Sequence, residues 1–347
     1  NCYIVAPGST LTIKAVEGNS TTELDFNNAA LVWQDALGMV KSVSANSTEK
    51  VVVVQLNPGI AGNAVVAAKL DDVIVWSWHV WVADYDPISD PFVWTDKSTG
   101  TSYTFMDRNL GAKNAKKYDA GALGLLYQWG RKDPFVNADG TESSVYVAKY
   151  DIDGNRVREV SEERPTYPSS DYESTNLQLA IQNPTIFYTA PSSSYPVQDW
   201  LTDDAQRQDH DLWGGVSGYK TKYDPCPEGW KVPVAGAPWG FRSEYRKTGG
   251  LQDDGAYDAT APWYCDYVND NGFRYKQADS GKEYWFPFTG KKDVVTGVLN
   301  GVGSGANYHT ATRQNTLAIM ELFAWGNPAS ETGLNRPYGS SVRCIKE

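Results

Sequence analysis

The chain has 347 residues, 41% hydrophobic and 21% charged, which is enough for about two domains with a real core and excludes wholesale disorder. Its formal net charge is −11 without any basic stripe, so nucleic acid and anionic membranes are poor partners, and no apolar run of about 18 residues offers a transmembrane segment. The 13 Trp, 21 Tyr and 10 Phe, set beside 31 Gly and 18 Pro, favour short strands, turns and ordered loops with rigid aromatic surfaces.

The chain opens on Asn1-Cys2-Tyr3-Ile4-Val5, which already reads as a strand. The expectation is a mature chain from which an upstream segment has been removed. Short apolar runs follow at Leu11–Ala15, Ala29–Trp33, Val40–Val43, Val51–Leu56, Ala64–Leu70 and Val73–Val82. Turn signals stand between them at Pro7-Gly8, Glu17-Gly18-Asn19, Asn57-Pro58-Gly59 and Gly62-Asn63. This spacing predicts an all-β sandwich over residues 1–86. The four valines Val51 to Val54 predict a fully buried strand. In the last run Trp76, Trp78, Val80 and Val82 share one face, and Ser77, His79 and Trp81 the other.

Two prolines and three aspartates in Asp84-Tyr85-Asp86-Pro87-Ile88-Ser89-Asp90-Pro91 predict an extended linker. Residues 92–347 form the second part, with short strands such as Thr101–Met106 and long polar stretches. Helices are expected at Glu173–Ile181, with Ser174 as N-cap, and around Gly121–Trp129. Each part is expected to fold around its own core.

Catalytic groups are sparse. His79, His210 and His309 are isolated, so neither a zinc site nor a Ser-His-Asp arrangement is expected. His79 reads as structural, and His210, between Asp209 and Asp211, as part of a surface loop. The four cysteines form no CxxC pair, which excludes a zinc ribbon or a thioredoxin-type site. Asp151-Ile152-Asp153-Gly154-Asn155 is similar to the first half of a calcium loop, with Glu162 at its twelfth position, but Arg156 replaces the central glycine. A hairpin turn is the simpler expectation there.

The stretch from Asp253 to Asp270 is the most suggestive. Asp253, Asp254, Tyr257, Asp258, Trp263, Tyr264, Asp266 and Asp270 interleave carboxylates with aromatic rings. Such a set can stack on a sugar ring and hydrogen-bond its hydroxyls, although a solvated loop with inward aromatics would read the same way.

Two resemblances are specific. Gly62-Asn63-Ala64-Val65-Val66-Ala67-Ala68 followed by Val75-Trp76-Ser77-Trp78-His79-Val80-Trp81-Val82 resembles the immunoglobulin-like module of exported Bacteroidetes fimbrial and surface proteins. The second part resembles the Fibrobacter-type major paralogous domain of the same bacteria. The matching segments are Met106-Asp107-Arg108-Asn109-Leu110-Gly111-Ala112, Tyr127-Gln128-Trp129-Gly130-Arg131-Lys132-Asp133-Pro134-Phe135, Tyr223-Asp224-Pro225-Cys226-Pro227-Glu228-Gly229-Trp230-Lys231-Val232-Pro233, Trp285-Phe286-Pro287-Phe288-Thr289-Gly290 and Ser341-Val342-Arg343-Cys344.

That resemblance implies an α+β C-type-lectin-like fold with long loops, and a disulfide between Cys226 and Cys344. It implies an exported surface protein, such as a fimbrial tip subunit, that binds a host glycan or protein, or neighbouring subunits. A formylglycine-generating enzyme and a purely structural subunit are the rival implications. The enzyme needs reactive thiols, and Cys265 alone is left over for that. No cofactor is expected. Calcium, which many C-type lectins use, is the one candidate, yet the signature triplets are missing and Gln182-Asn183-Pro184 and Gly326-Asn327-Pro328 match them only superficially.

Overall fold

The computed structural model describes residues 1–140, 146–165, 172–191, 199–202, 204, 208–242, 245–249, 260–268, 271–324 and 327–347. It is mostly β-sheet, with several sheets and no barrel. The first part contains β1 (Cys2–Val5), β2 (Thr10–Lys14), β3 (Asn28–Gln34), β4 (Val40–Asn46), β5 (Val51–Leu56), β6 (Gly62–Leu70) and β7 (Val73–Val82). They form one sheet in the order β1-β7-β6-β3 and a second in the order β2-β5-β4.

The two sheets share an apolar cluster to which Ile13, Val52 and Val54 contribute from one and Val66, Trp76, Trp78 and Val80 from the other. The four-valine run is therefore not buried on both faces: Val52 and Val54 are buried, while Val51 and Val53 are half-buried. The strand alternates because its sheet is covered on one face only.

The second part begins with β8 (Phe92–Thr95), β9 (Ser102–Phe105) and β10 (Leu126–Gln128), followed by β11 (Val160–Glu163), helix α1 (Tyr172–Gln182) and β12 (Ile186–Thr189). Next come β13 (Trp230–Lys231), β14 (Arg246–Gly249), β15 (Trp263–Val268), β16 (Gly272–Gln277) and β17 (Glu283–Pro287). The chain closes with β18 (Thr289–Lys292), β19 (Leu299–Val302), β20 (Gly305–Gln314), β21 (Leu317–Ala324), β22 (Asn327–Leu334), β23 (Gly339–Ser341) and β24 (Ile345–Lys346).

The largest sheet runs β10-β23-β18-β20-β21-β22, with β19 beside β18. Smaller sheets run β13-β24-β9-β8 and β14-β15-β16-β17, and β11 pairs with β12. Helix α1 starts one residue before the expected Glu173, and two before the proposed cap Ser174. The helix expected at Gly121–Trp129 is cut to a single 3₁₀ turn over Ala120–Ala122, and β10 occupies its second half, paired antiparallel with β23. Gly124 at φ +73° breaks any helix there, and its Cβ would come within 2.8 Å of the Leu110 carbonyl, so the position needs glycine.

The motif segments turn out to be mutually buried. Arg343 donates to Asn109 Oδ1 at 3.0 and 2.8 Å and to the Trp285 carbonyl at 2.8 Å. Its guanidinium lies 3.9 Å from the Phe286 ring centroid. Among the described residues Arg131 has no carboxylate on its fork; it donates to Gln128 Oε1 and to the carbonyls of Ile186, Ala180 and Asn183. Cys226 and Cys344 are joined by a disulfide, with Cα atoms 6.0 Å apart.

Beside the cluster between the two sheets of the first part and an aromatic cluster within the second, the two parts share a third. Among the described residues no strand of one part joins a sheet of the other beyond single bridges at Gln34–Tyr150 and Cys2–Pro227, yet one apolar cluster contains Trp33, Val65 and Trp81 together with Tyr127, Trp129 and Trp213. Indeed Trp81 donates through Nε1 to the Ala112 carbonyl. The second face of β7 is the cause: it carries Ser77, His79 and Trp81, all buried, and it needs cover that its own partner sheet cannot give. The linker is likewise pinned. Arg108 lies 3.9 Å from the Tyr85 ring centroid, and Tyr284 donates to the Pro91 carbonyl.

Candidate functional site

The polar end of this junction is a cleft of about 260 Å³. Its first wall comes from the start of β6. The Asn63 backbone N–H and Nδ2 donate to the two oxygens of Asp35, at 2.7 and 2.9 Å, and Nδ2 also donates to the Gly111 carbonyl at 3.0 Å. With Nδ2 fixed on acceptors, Oδ1 faces His79 Nε2 at 2.9 Å, so that ring nitrogen carries the proton. The Asp35 side chain is only 3% exposed, and Lys113 Nζ lies 3.5 Å from its carboxylate.

Asn114, Asp119, Asn137 and Asp139 complete the polar lining, while Leu125, Ala138 and Val147 give the apolar part. Gly111 holds φ +79° at the floor, where a Cβ would come within 2.6 Å of Leu125. Asn137 is the informative group. It is 2% exposed; its Oδ1 accepts the Ala138 N–H at 2.7 Å, and its Nδ2 has no acceptor among the described residues. A buried amide donor left unpaired costs about 1–3 kcal/mol, which a ligand oxygen in the cleft would recover.

Burial lowers the His79 imidazole to about 3 and the His309 imidazole to about 4. The unfolded chain takes up these protons at the ordinary value, so the stability they contribute is complete above about 6.5 and is lost as the pH falls toward 4 and 3. An NMR titration of the folded protein is expected to find both rings neutral at pH 5. A ring among the two that titrates near 6.5 would contradict their burial.

The residues expected from sequence fall elsewhere. Asp253, Asp254, Tyr257, Asp258 and Asp270 lie outside the described residues. Trp263 is 2% exposed inside an aromatic cluster with Phe92 and Tyr284, so it offers no ring to a ligand. Tyr264 and Asp266 do share the outer face of β15 with Arg274 and Lys276 of β16, around a shallow groove of about 430 Å³. Asp266 is already committed to an ion pair with Arg274, and Arg246 donates to the Tyr264 hydroxyl at 3.2 Å.

His210 is not a bare loop residue: Arg336 donates to its Nδ1 at 2.7 Å, while Arg336 also pairs with buried Asp199 at 3.2 Å. The Asp151 carboxylate accepts from the backbone of Asp153 and Asn155 and from Asn155 Nδ2, which closes a turn. Asn183 Nδ2 donates to the Leu179 carbonyl at the end of α1. Among the described residues no three His, Cys, Asp or Glu side chains converge as metal ligands, and no helix is long and apolar enough to cross a membrane.

The sequence reading missed Asp35, Asn63 and Asn137. One signal was present: asparagine is depleted in strands, and Asn63 stands inside an otherwise apolar run. Asn137 carries no such signal, because its importance lies in a partner it lacks. Comparison with family models, with curated proteins and with solved structures found no match.

Proposed function

We propose that the chain is a non-enzymatic ligand-binding protein of the cell-surface adhesion type, and that it takes a hydroxyl-rich ligand, a glycan, in the junction cleft. The observation that carries this reading is the buried Asn137 amide, unpartnered among the described residues, in a cleft lined with Asp35, Asn63, Asn114, Asp119 and Asp139. Planar amides and carboxylates at close quarters suit paired hydroxyls, and an apolar strip suits the C–H face of a sugar. In the same reading residues 1–86 are an immunoglobulin-like sandwich and residues 92–347 a C-type-lectin-like domain, exported to the surface or to a fimbrium. The sheet arrangement and the mutual burial of the motif segments support those assignments.

The formylglycine-generating alternative needs a reactive thiol. Burial raises the Cys2 thiol to about 12 and pushes Cys265 well above its ordinary value, which weighs against it. A glycan array is the test. Binding is expected to survive a calcium chelator, since the cleft supplies its hydrogen bonds directly. The exchange Asn137→Ala is expected to weaken the best hit about tenfold. No hit on the array, or a hit indifferent to Asn137→Ala, would overturn the reading.

A further inference from the structure

Across the segment that carries Asn137 lies a second cleft, of about 460 Å³, with a different chemistry. Val147 lines both. Lys149 and Lys292 stand in the second, 4% and 2% exposed, and both reach the single carboxylate of Glu159, at 3.3 and 2.5 Å. Each ammonium carries three donors, and among the described residues each makes only this one hydrogen bond. Aromatic faces hold them in place: Lys149 is 5.7 Å from the Trp33 ring, and Lys292 is 5.2 and 5.3 Å from those of Tyr146 and Phe187. Arg156 and Arg158 stand exposed at the rim. Four cations against one carboxylate leave this lining at +3, in a chain whose formal net charge is −11.

Keeping two cations on one acid in a buried place is unfavourable unless something balances the excess. The arrangement already shows which anion the lysines accept, because Glu159 bridges them. Arginine forks prefer the same planar group. Val136, Val157 and Val298 add an apolar wall, and the half-exposed Tyr146 ring a flat one.

We infer that this cleft binds a carboxylate carried on a compact, partly apolar scaffold about the size of one sugar ring, with Arg156 and Arg158 meeting the carboxylate. A uronic sugar and a short aliphatic acid both present that chemistry. The inference goes beyond the ligand-capture reading, on which it rests for its biological use, by adding a second site that takes an acidic ligand.

Calorimetric titration of the intact chain with glucuronate, glutarate, glucose and inorganic phosphate is the test. Glucuronate is expected to bind in a way that depends on Arg156 and Arg158, and any glucose binding, which belongs to the junction cleft, is expected not to depend on them. Binding of glucuronate alone marks the uronic sugar as the source, and equal binding of glutarate marks the aliphatic acid. The double exchange Arg156→Gln/Arg158→Gln, at exposed positions that leave the fold intact, is expected to weaken binding at least tenfold. Asn137→Ala is expected to leave it unchanged, so failure of this site and failure of the junction cleft remain distinguishable. The inference is overturned if neither acid binds, if phosphate binds as well as glucuronate, or if the arginine exchange leaves glucuronate binding unchanged or weakens glucose binding equally.

Discussion

Replacing Asp133 by alanine is expected to destabilise the protein by about 3–5 kcal/mol, the usual consequence of leaving a buried charge without its partner. The Lys132 ammonium is buried beneath the Trp76 ring, 4.8 Å from its centroid, and donates to Asp133 Oδ1 at 2.7 Å. Ser77 Oγ donates to the same oxygen at 2.6 Å. Lys132 also donates to Ser77 Oγ and to the Ser77 carbonyl, at 2.5 and 3.1 Å. The triad therefore ties β7 of the first part to a loop of the second. Without the carboxylate, the ammonium keeps only a hydroxyl, a carbonyl and a ring face.

The double exchange Lys132→Met/Asp133→Leu removes both charges and is expected to recover most of the loss, because an apolar pair of similar volume needs no desolvation of ions. Urea unfolding measures both. A loss below 1 kcal/mol in Asp133→Ala would mean that the junction does not depend on this triad. Because the apolar cluster is shared, unfolding of the two parts is also expected to fall in one transition.

The second large effect belongs to the disulfide. Replacing Cys226 and Cys344 together by alanine is expected to cost about 2–5 kcal/mol, near the upper end because the bond closes a loop of 118 positions. The bond joins the segment before β13 to the segment before β24, so it fixes the C-terminal end against the middle of the chain. A calorimetric scan of the double variant is expected to show a clearly lower Tm. An unchanged Tm would mean that packing around the two buried sulfurs already fixes the loop.

The first part was legible in the sequence for a plain physical reason. Its seven strands are apolar runs cut by turn residues, and every one of the seven runs is a strand in the structure. Even the two faces of β7 could be read, since Trp76, Trp78, Val80 and Val82 alternate with Ser77, His79 and Trp81. What the alternation could not show is what covers the polar face.

The second part hid its strands. In β20 the buried residues include Asn307, His309 and Thr310, so burial follows no hydrophobic period. The Gly121–Trp129 segment has a helical pattern, but Gly124 and the pairing of β10 with β23 override it. The motif segments could be marked, yet the contact of Arg343 with Asn109 spans 234 positions and emerges only in three dimensions. The candidate site was the least legible part. Its groups come from β6, from the segment after Met106 and from the stretch around Asn137, and no local spacing connects them.

We propose that a glycan is captured where the two parts of the chain meet. A crystal structure of the intact protein with its best array hit tests it most directly. The expected result is a sugar in the junction cleft, with one oxygen on Asn137 Nδ2 and others on the Asn114, Asp119 and Asp139 side. A sugar seated instead on the Tyr264 and Asp266 face of β15, with the junction cleft empty, would contradict it.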